Sequence, residues 1–413
     1  MAFGLTVLYV ILTFLSIAQT FPDLADDRIE LIVGILGLVA ALPALLITRR
    51  VRPGKQAALM AAFTAWLLFS TIPHGWFGGV LVSAQGFLQL GIVFFLTAFN
   101  VRSVGQLKIL RICLLAVTLY LLGNGLYDYF RNADHSPFVL AWGEGEDRIW
   151  RLQGLGFLGD PNAFGQFLLA MLPLLFARAN KSGRLVWIFF LVPVSASMIL
   201  GIWCTHSRGA LVGLVVLVAL ILRERFGFIS GSLTSALIAI LMLYTGYTEG
   251  RTQDNRRDIW SDGLGMFKSS PVWGVGFNGF MQNSEQTAHN SFLLCAVELG
   301  LIGCFLWMGL LVVSLWQVRR VATAPDSDPE LRGWAKAVFF SLVGFLVPAF
   351  FLSDTYAATL YLLLGMSAAI SGLEMERTGT ELLPAGNRWP LKTAMACFAS
   401  MLLVYVMVRS RSF

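Results

Sequence analysis

Apolar stretches of about 17 residues or more follow one another along almost the whole chain. Each is long enough, as a helix, to cross about 30 Å of hydrocarbon. They predict helical spans over 3–20, 30–48, 56–72, 79–99, 108–130, 162–178, 185–203, 209–222, 229–246, 290–317, 335–352, 356–373 and 391–408. The segment 209–222 is short, and 290–317 is long enough to hold a break at the Gly300/Gly303 pair, so 12 to 14 spans are expected. The short alternating strands of a membrane barrel are absent. The pattern is that of an all-α polytopic integral membrane protein in which 1–413 form a single transmembrane domain without internal repeats.

Two of the polar connections are long, 131–161 and 247–289. The first mixes charges with Trp142 and Trp150, the composition of a segment lying at a membrane interface. The second holds a predicted helix from about Asp258 to Lys268, where Ile259/Trp260, Gly263/Leu264 and Met266/Phe267 recur at helical spacing. The apolar face so formed is expected to rest on the bilayer. Ser270 and Pro271 end this helix, because a residue before proline avoids the helical region. The stretch 319–336 reads as a plain polar linker.

Composition gives the chain a direction. Hydrophobic residues make up 57% of it and charged residues 13%, the latter roughly half the share of an ordinary soluble domain. Placing the N-terminus in the cytoplasm brings most of the 30 basic residues to the cytoplasmic side, Arg49, Arg50, Arg52 and Lys55 among them. The two long connections then lie outside. With 13 spans, Arg409 and Arg411 also fall outside, against that rule. The net charge of +6 reflects the inside bias and calls for no nucleic-acid partner. Arg28 is the first basic residue, so an uncleaved first span is expected rather than a leader with a basic start. The five cysteines (113, 204, 295, 304, 397) lie in or beside apolar spans and lack CxxC spacing, which supports neither a disulfide framework nor a zinc site.

Candidate chemistry gathers between 154 and 304. In THSRGALVGL (205–214), Ser207 suits the N-cap of a span whose first turn carries Arg208. The positive end of the helix dipole opposes a cation there. An anion joining the free N–H groups and the guanidinium would account for the placement; a snorkelling arginine, or one paired with Glu298, is the plainer reading. In DPNAFGQ (160–166), Asp160 caps and Pro161 takes the first helical position. Arg256 and Arg257 precede Trp260, and two guanidiniums near a bilayer surface suit a diphosphate as well as a lipid headgroup. GVGFNG (274–279) fits a dinucleotide fingerprint by letter but lacks the βαβ unit that fingerprint requires. Its glycines are expected to make a tight turn that steers the chain back into the bilayer. His74 and His135 read as structural hydrogen-bonders. His289 differs, standing before a span with Asn290 and Ser291, where a helix N-terminus favours a neutral ring able to act as a base. Glu298, inside that span, needs a partner, for which Arg208 is the candidate. No cluster has metal-ligand spacing, so metal-independent chemistry without a cofactor is expected.

At these residues the chain resembles the O-antigen ligase and polymerase superfamily. The resemblance runs from about 154 to 304 and rests on ordered motifs: GDPNAFGQ, SRGALVGL, Arg256 four residues before Trp260, SPVWGVGFNGF, His289–Asn290 and Glu298–Leu299–Gly300. It implies a membrane glycosyltransferase of the bacterial inner membrane with its active site facing the periplasm. The donor would be an undecaprenyl-diphosphate-linked glycan, and the acceptor lipid A-core, a growing polysaccharide or a protein. Carried onto this chain, Arg208 and Arg256 would hold the diphosphate, with Arg257 leaving the second position open by one residue. His289 would activate the acceptor hydroxyl, and Asn290 and Glu298 would complete the substrate-binding set. Ligase, repeat-unit polymerase and protein oligosaccharyltransferase all remain open within this reading. Outside it stand a flippase for lipid-linked sugars, which should show inverted repeats and midplane helix breaks, and a structural partner in a polysaccharide machine.

Overall fold

A computed structural model describes residues 1–16, 19, 28–43, 54–143, 148–177, 183–227, 250–379 and 388–410. Its helices, in chain order, are α1 (Ala2–Leu15), α2 (Arg28–Leu42), α3 (Lys55–Phe69), α4 (Gly79–Asn100), α5 (Val104–Arg131) and α6 (Pro161–Leu175). There follow α7 (Arg184–Cys204), α8 (Arg208–Phe226), α9 (Gly250–Ser269), α10 (Ser291–Thr323), α11 (Pro329–Ala349), α12 (Ala358–Thr378) and α13 (Trp389–Arg409). Twelve of the thirteen predicted spans coincide with one of these helices, while 229–246 lies outside the described residues. Among the described residues eight helices are long and apolar enough to cross a membrane, and α1, α2 and α6 are shorter apolar helices. The all-α membrane fold expected from the hydropathy is therefore observed. The first long connection adds one small hairpin, β1 (Val139–Trp142) paired antiparallel with β2 (Ile149–Leu152).

The core forms where helices are apolar all round. α10 and α12 are the most enclosed, and α13 and α7 show most of their surface to lipid. Polar bolts cross the apolar interior. Gln56 of α3 donates to Ser314 Oγ of α10 at 2.9 Å and to Ser367 Oγ of α12 at 2.8 Å. Asn100 donates to Thr6 Oγ1 at 3.0 Å, tying α4 to α1. With no water to compete, such bonds hold register between helices that hydrophobicity alone would let slide. Far from the long connections, Glu224 pairs with Arg319 and Lys336, and Glu374 with Arg377, at the ends of α8, α10, α11 and α12. Those charges mark one face of the bundle. Residues 148–162, 205–209, 256–289 and 350–357 mark the other. Arg409 ends α13 on this second face, beside α9, as a 13-span path requires.

One helix is broken. Gly300 of α10 adopts φ 64° and ψ −169°, interrupting the helix at the predicted break. The groups this frees are taken up by the turn after α9. Val275 N donates to Val297 O and Gly276 N to Glu298 O, both at 2.9 Å, and Leu301 N donates to Pro271 O at 2.8 Å. Trp66 Nε1 donates to Leu299 O at 2.8 Å. The glycine-rich turn thus re-enters the bundle, as its sequence suggested, and completes the backbone of a neighbouring helix. α3 locks it there. His74 Nε2 donates to Gly274 O at 2.8 Å, Ser70 Oγ accepts from Phe277 N at 3.1 Å, and the Trp66 and Trp273 rings stack at 4.6 Å. His74 is the structural hydrogen-bonder it was expected to be.

Gly274 and Gly300 meet backbone to backbone. A Cβ on Gly274 would lie 2.2 Å from Glu298 O, and one on Gly300 2.1 Å from Val272 O, and both residues have positive φ. Gly300→Ala or Gly274→Ala is expected to cost on the order of 3 kcal/mol. In fluorescence-detected size-exclusion chromatography it should abolish the monodisperse peak. Gly123→Ala, whose added carbon meets nothing within 4 Å, should leave the peak intact.

Candidate active site

The second face collects three helix starts. α6 begins at Asp160, whose carboxylate accepts from Asn162 N at 2.8 Å and Ala163 N at 3.1 Å. α8 begins at Ser207, which accepts from Ala210 N, and α10 at Asn290, which accepts from Phe292 N at 3.0 Å and Leu293 N at 2.9 Å. α6 and α8 approach closely because position 165 is glycine: a Cβ there would sit 2.9 Å from Thr205 Oγ1 and 3.3 Å from Ser207 Cβ. The α11–α12 link joins the other two starts. A Cβ on Gly209 would touch Pro348 and Phe351, and Ser353 Oγ accepts from His289 N at 2.7 Å. Free N–H groups and dipole ends of three helices therefore open on one region.

The starts of α8 and α10 share a device. His206 and His289, each just before a cap, stand in the left-handed region at φ 51° and φ 46°, which side chains other than glycine seldom adopt. At His289 the surroundings impose it. Its N–H is held by Ser353, and the carbonyl of Ala288 accepts from Trp260 Nε1 at 2.8 Å. The half-buried ring is thereby turned out of the helix line. Burial, and then the Arg256 guanidinium, hold the His289 imidazole below its ordinary 6.5, against an upward pull from Asp160. A neutral ring, able to accept a proton, is the stable form at pH 7.

Cations face it. Arg208, in the first turn of α8, lies within electrostatic reach of Arg256 on α9 and of Arg151 on β2. Burial pulls the Arg256 guanidinium below its usual range, though its outer edge stays exposed. Arg151 is also pulled down by burial, against Asp160; it donates to Thr205 O and to Asn162 Oδ1, each at 3.0 Å. Sequence reasoning passed over Arg151. Only the hairpin register, which pairs Arg151 with Leu140, turns it toward Thr205. Three guanidiniums and three helix starts gather in one region, an arrangement suited to a multiply charged anion.

Residues 159–308 match the family described as O-Antigen ligase. The matched segment holds Asp160, Arg208, Arg256, His289, Asn290 and Glu298, and leaves Arg151 outside. The chain is also similar to the Exopolysaccharide production protein ExoQ of Rhizobium meliloti (strain 1021), at 27% identity over 188 residues. That similarity covers 38% of this chain and 42% of ExoQ, so the chain spans less than half the length of that relative. Together the two matches support the resemblance to O-antigen ligases and polymerases.

Within residues 159–308 the structure moves two expectations, the partner of Glu298 and the surface under α9. Glu298 is not held by Arg208: its carboxylate accepts from Tyr356 OH at 2.8 Å and Phe280 N at 3.3 Å, deep beside the re-entrant turn. It braces that turn from inside the bundle. The apolar face of α9 rests on protein, not on the bilayer, because Ile259 and Trp260 bury against Phe280, Leu293, Leu294 and Val404. The helix is also longer than the 258–268 expected from spacing. Asn290, expected to bind substrate, is wholly buried and spends its Oδ1 on the cap, while its Nδ2 has no hydrogen-bond partner among the described residues.

Arg256 and Arg257, inseparable by sequence, part company. Arg257 Nε donates to Val408 O at 2.8 Å, capping the last turn of α13, while Arg256 lies within electrostatic reach of Arg208 and His289. Arg256→Ala and Arg208→Ala are each expected to weaken pyrophosphate binding by about tenfold or more, the loss of one charge-assisted contact. Arg257→Ala should keep affinity within about threefold and lower the melting temperature instead. Isothermal titration and a thermal scan of the purified protein check both.

Proposed function

We propose that the protein is a membrane glycosyltransferase that moves a glycan from an undecaprenyl-diphosphate carrier onto an acceptor hydroxyl, at the extracytoplasmic face of the inner membrane. The observation that carries this reading is that Arg256 on α9 stands within electrostatic reach both of the His289 ring before α10 and of Arg208 in the first turn of α8. The family match over 159–308 lends support.

The chemistry follows from what each group can do. A lipid diphosphate is already a good leaving group, so the protein has to neutralise departing charge and remove one proton. A ring nitrogen of neutral His289 takes the acceptor's hydroxyl proton as the oxygen attacks the anomeric carbon. The bond from that carbon to the diphosphate oxygen breaks, and its electron pair leaves with the diphosphate. Arg208, Arg256 and Arg151 hold the charge. Attack from the side opposite the leaving group inverts the anomeric centre. Glu298 and Arg257 serve by holding the re-entrant turn and α9 in place, and Asn290 by capping α10.

A growing polysaccharide as acceptor, which makes the protein a polymerase rather than a ligase to lipid A-core, is the second reading. ExoQ's description as an exopolysaccharide production protein favours it. A flippase fits less well, since the one helix break described is sealed by protein backbone.

Replacing His289 with alanine is expected to lower the transfer rate by about 10²–10⁴-fold, with insertion unchanged. Because His289 titrates below 6.5, it stays unprotonated on mild acidification. The acid limb of kcat/KM should therefore fall below pH 6.5. Arg256→Gln removes one of the influences that depress it, so the limb should move to higher pH as the rate drops. Initial rates across pH with an undecaprenyl-diphosphate-linked glycan test this; full activity in His289→Ala would sink the mechanism.

A further inference from the structure

The α11–α12 link carries a carboxylate for which neither the fold nor the proposed mechanism has a use. Asp354 N donates to Ser291 Oγ at 2.8 Å, so the start of α10 fixes its backbone. Its Oδ2 is buried and has no hydrogen-bond partner among the described residues. A buried, unpaired carboxylate oxygen costs stability and is kept only where something else needs it. Asp354 lines a partly open cavity of about 120 Å³, with Phe157, Ala163, Ser353 and Thr359 among its walls. An apolar cavity of about 150 Å³ admits one benzene-sized ring. This space is smaller than that, so through its open side it takes one edge of a ring with hydroxyls to donate.

Two features say what kind of group. The wall is amphipathic: the Phe157 ring, held edge-on against Phe14 at 5.2 Å, offers an aromatic surface, and Asp354 offers an acceptor. A sugar has that same pairing of C–H patches and hydroxyls. One wall residue of the cavity also touches the backbone of the reacting histidine, since Ser353 Oγ accepts from His289 N. Burial, and then the Asp160 carboxylate, push the Asp354 carboxyl up to about 7, so it offers the cavity a hydrogen-bonding group more than a fixed charge.

We propose that this cavity is the acceptor-sugar subsite, and that Asp354 accepts a hydrogen bond from a non-reacting hydroxyl of the acceptor ring. The neighbouring hydroxyl is thereby presented to His289. This rests on the glycosyltransferase reading and adds to it a positioning residue and a place for the second substrate.

Methyl hexopyranosides serve as probes, with binding read by saturation-transfer NMR on the purified full chain and pyrophosphate binding read by calorimetry. Wild-type protein is expected to bind a methyl hexopyranoside in the millimolar range with pyrophosphate present. Asp354→Ala should weaken that by about tenfold or more, with Asp354→Asn recovering part of it through its carbonyl oxygen. Pyrophosphate affinity should not change. Ala163→Phe, which fills the cavity from α6, should abolish sugar binding likewise. The melting temperature of Asp354→Ala should hold or rise, since an unpaired buried acceptor is removed; a structural role would lower it. Equal sugar binding by wild type and Asp354→Ala, or none by wild type, overturns the proposal. Failure of wild type to bind pyrophosphate instead overturns the donor-site reading and leaves the sugar result to stand on its own.

Discussion

In hydrocarbon a helix cannot surrender its backbone hydrogen bonds unless other groups replace them. α10 surrenders several at Gly300, and the turn at 271–277 replaces them with its own N–H and C=O groups. Most of the site is anchored to that exchange. The turn continues backwards into α9, which carries Arg256, and forwards through the short helix Gly279–Asn283 to His289. Trp66, Ser70 and His74 clamp it from outside, and Glu298 clamps it from within. A polar loop beside a membrane would ordinarily wander. This one is registered against a buried helix to within a hydrogen-bond length.

The electrostatics are of the opposite kind, with like charges gathered together. Arg151, Arg208 and Arg256 press on one another, and three helix starts add partial positive charge. Asp160 offsets part of this and is itself committed to capping α6. The fold tolerates the repulsion because each cation is held by something stiff: Arg151 by Thr205 O and Asn162, Arg208 by the first turn of α8, Arg256 by a helix packed on α10 and α13. A preorganised positive site has already met the cost of assembly before its anion arrives, and it spends no reorganisation as charge develops. Burial first, and Arg256 of this cluster second, keep the His289 ring neutral.

Much of this was legible in the residues themselves. Apolar runs marked the spans, Asp160 and Ser207 announced their caps, and paired glycines foretold the interruption near 300. The remainder depended on relations that local pattern does not carry. Arg256 and Arg257 are adjacent letters, yet neighbours on a helix point about 100° apart, so one reaches the arginine cluster and the other a carbonyl of α13. Glu298 takes its hydroxyl partner from Tyr356, far along the chain, where charge pairing had suggested Arg208. Arg151 depends on a hairpin register, and Asp354 sits in a link too short to carry a motif. The apolar stripe on α9 was read correctly as a stripe, but periodicity cannot say whether lipid or protein will cover it.

The bond from Arg257 to Val408 O has a mechanical side. α13 is the most lipid-exposed of the long helices, and a helix in that situation takes its tilt from the hydrophobic thickness around it. Its last carbonyls are where α9 is fastened, one residue from Arg256. The lateral environment of the bilayer thus has a lever on the cationic cluster, running through the apolar seam of α9 with α13 and through a guanidinium that never meets the anion.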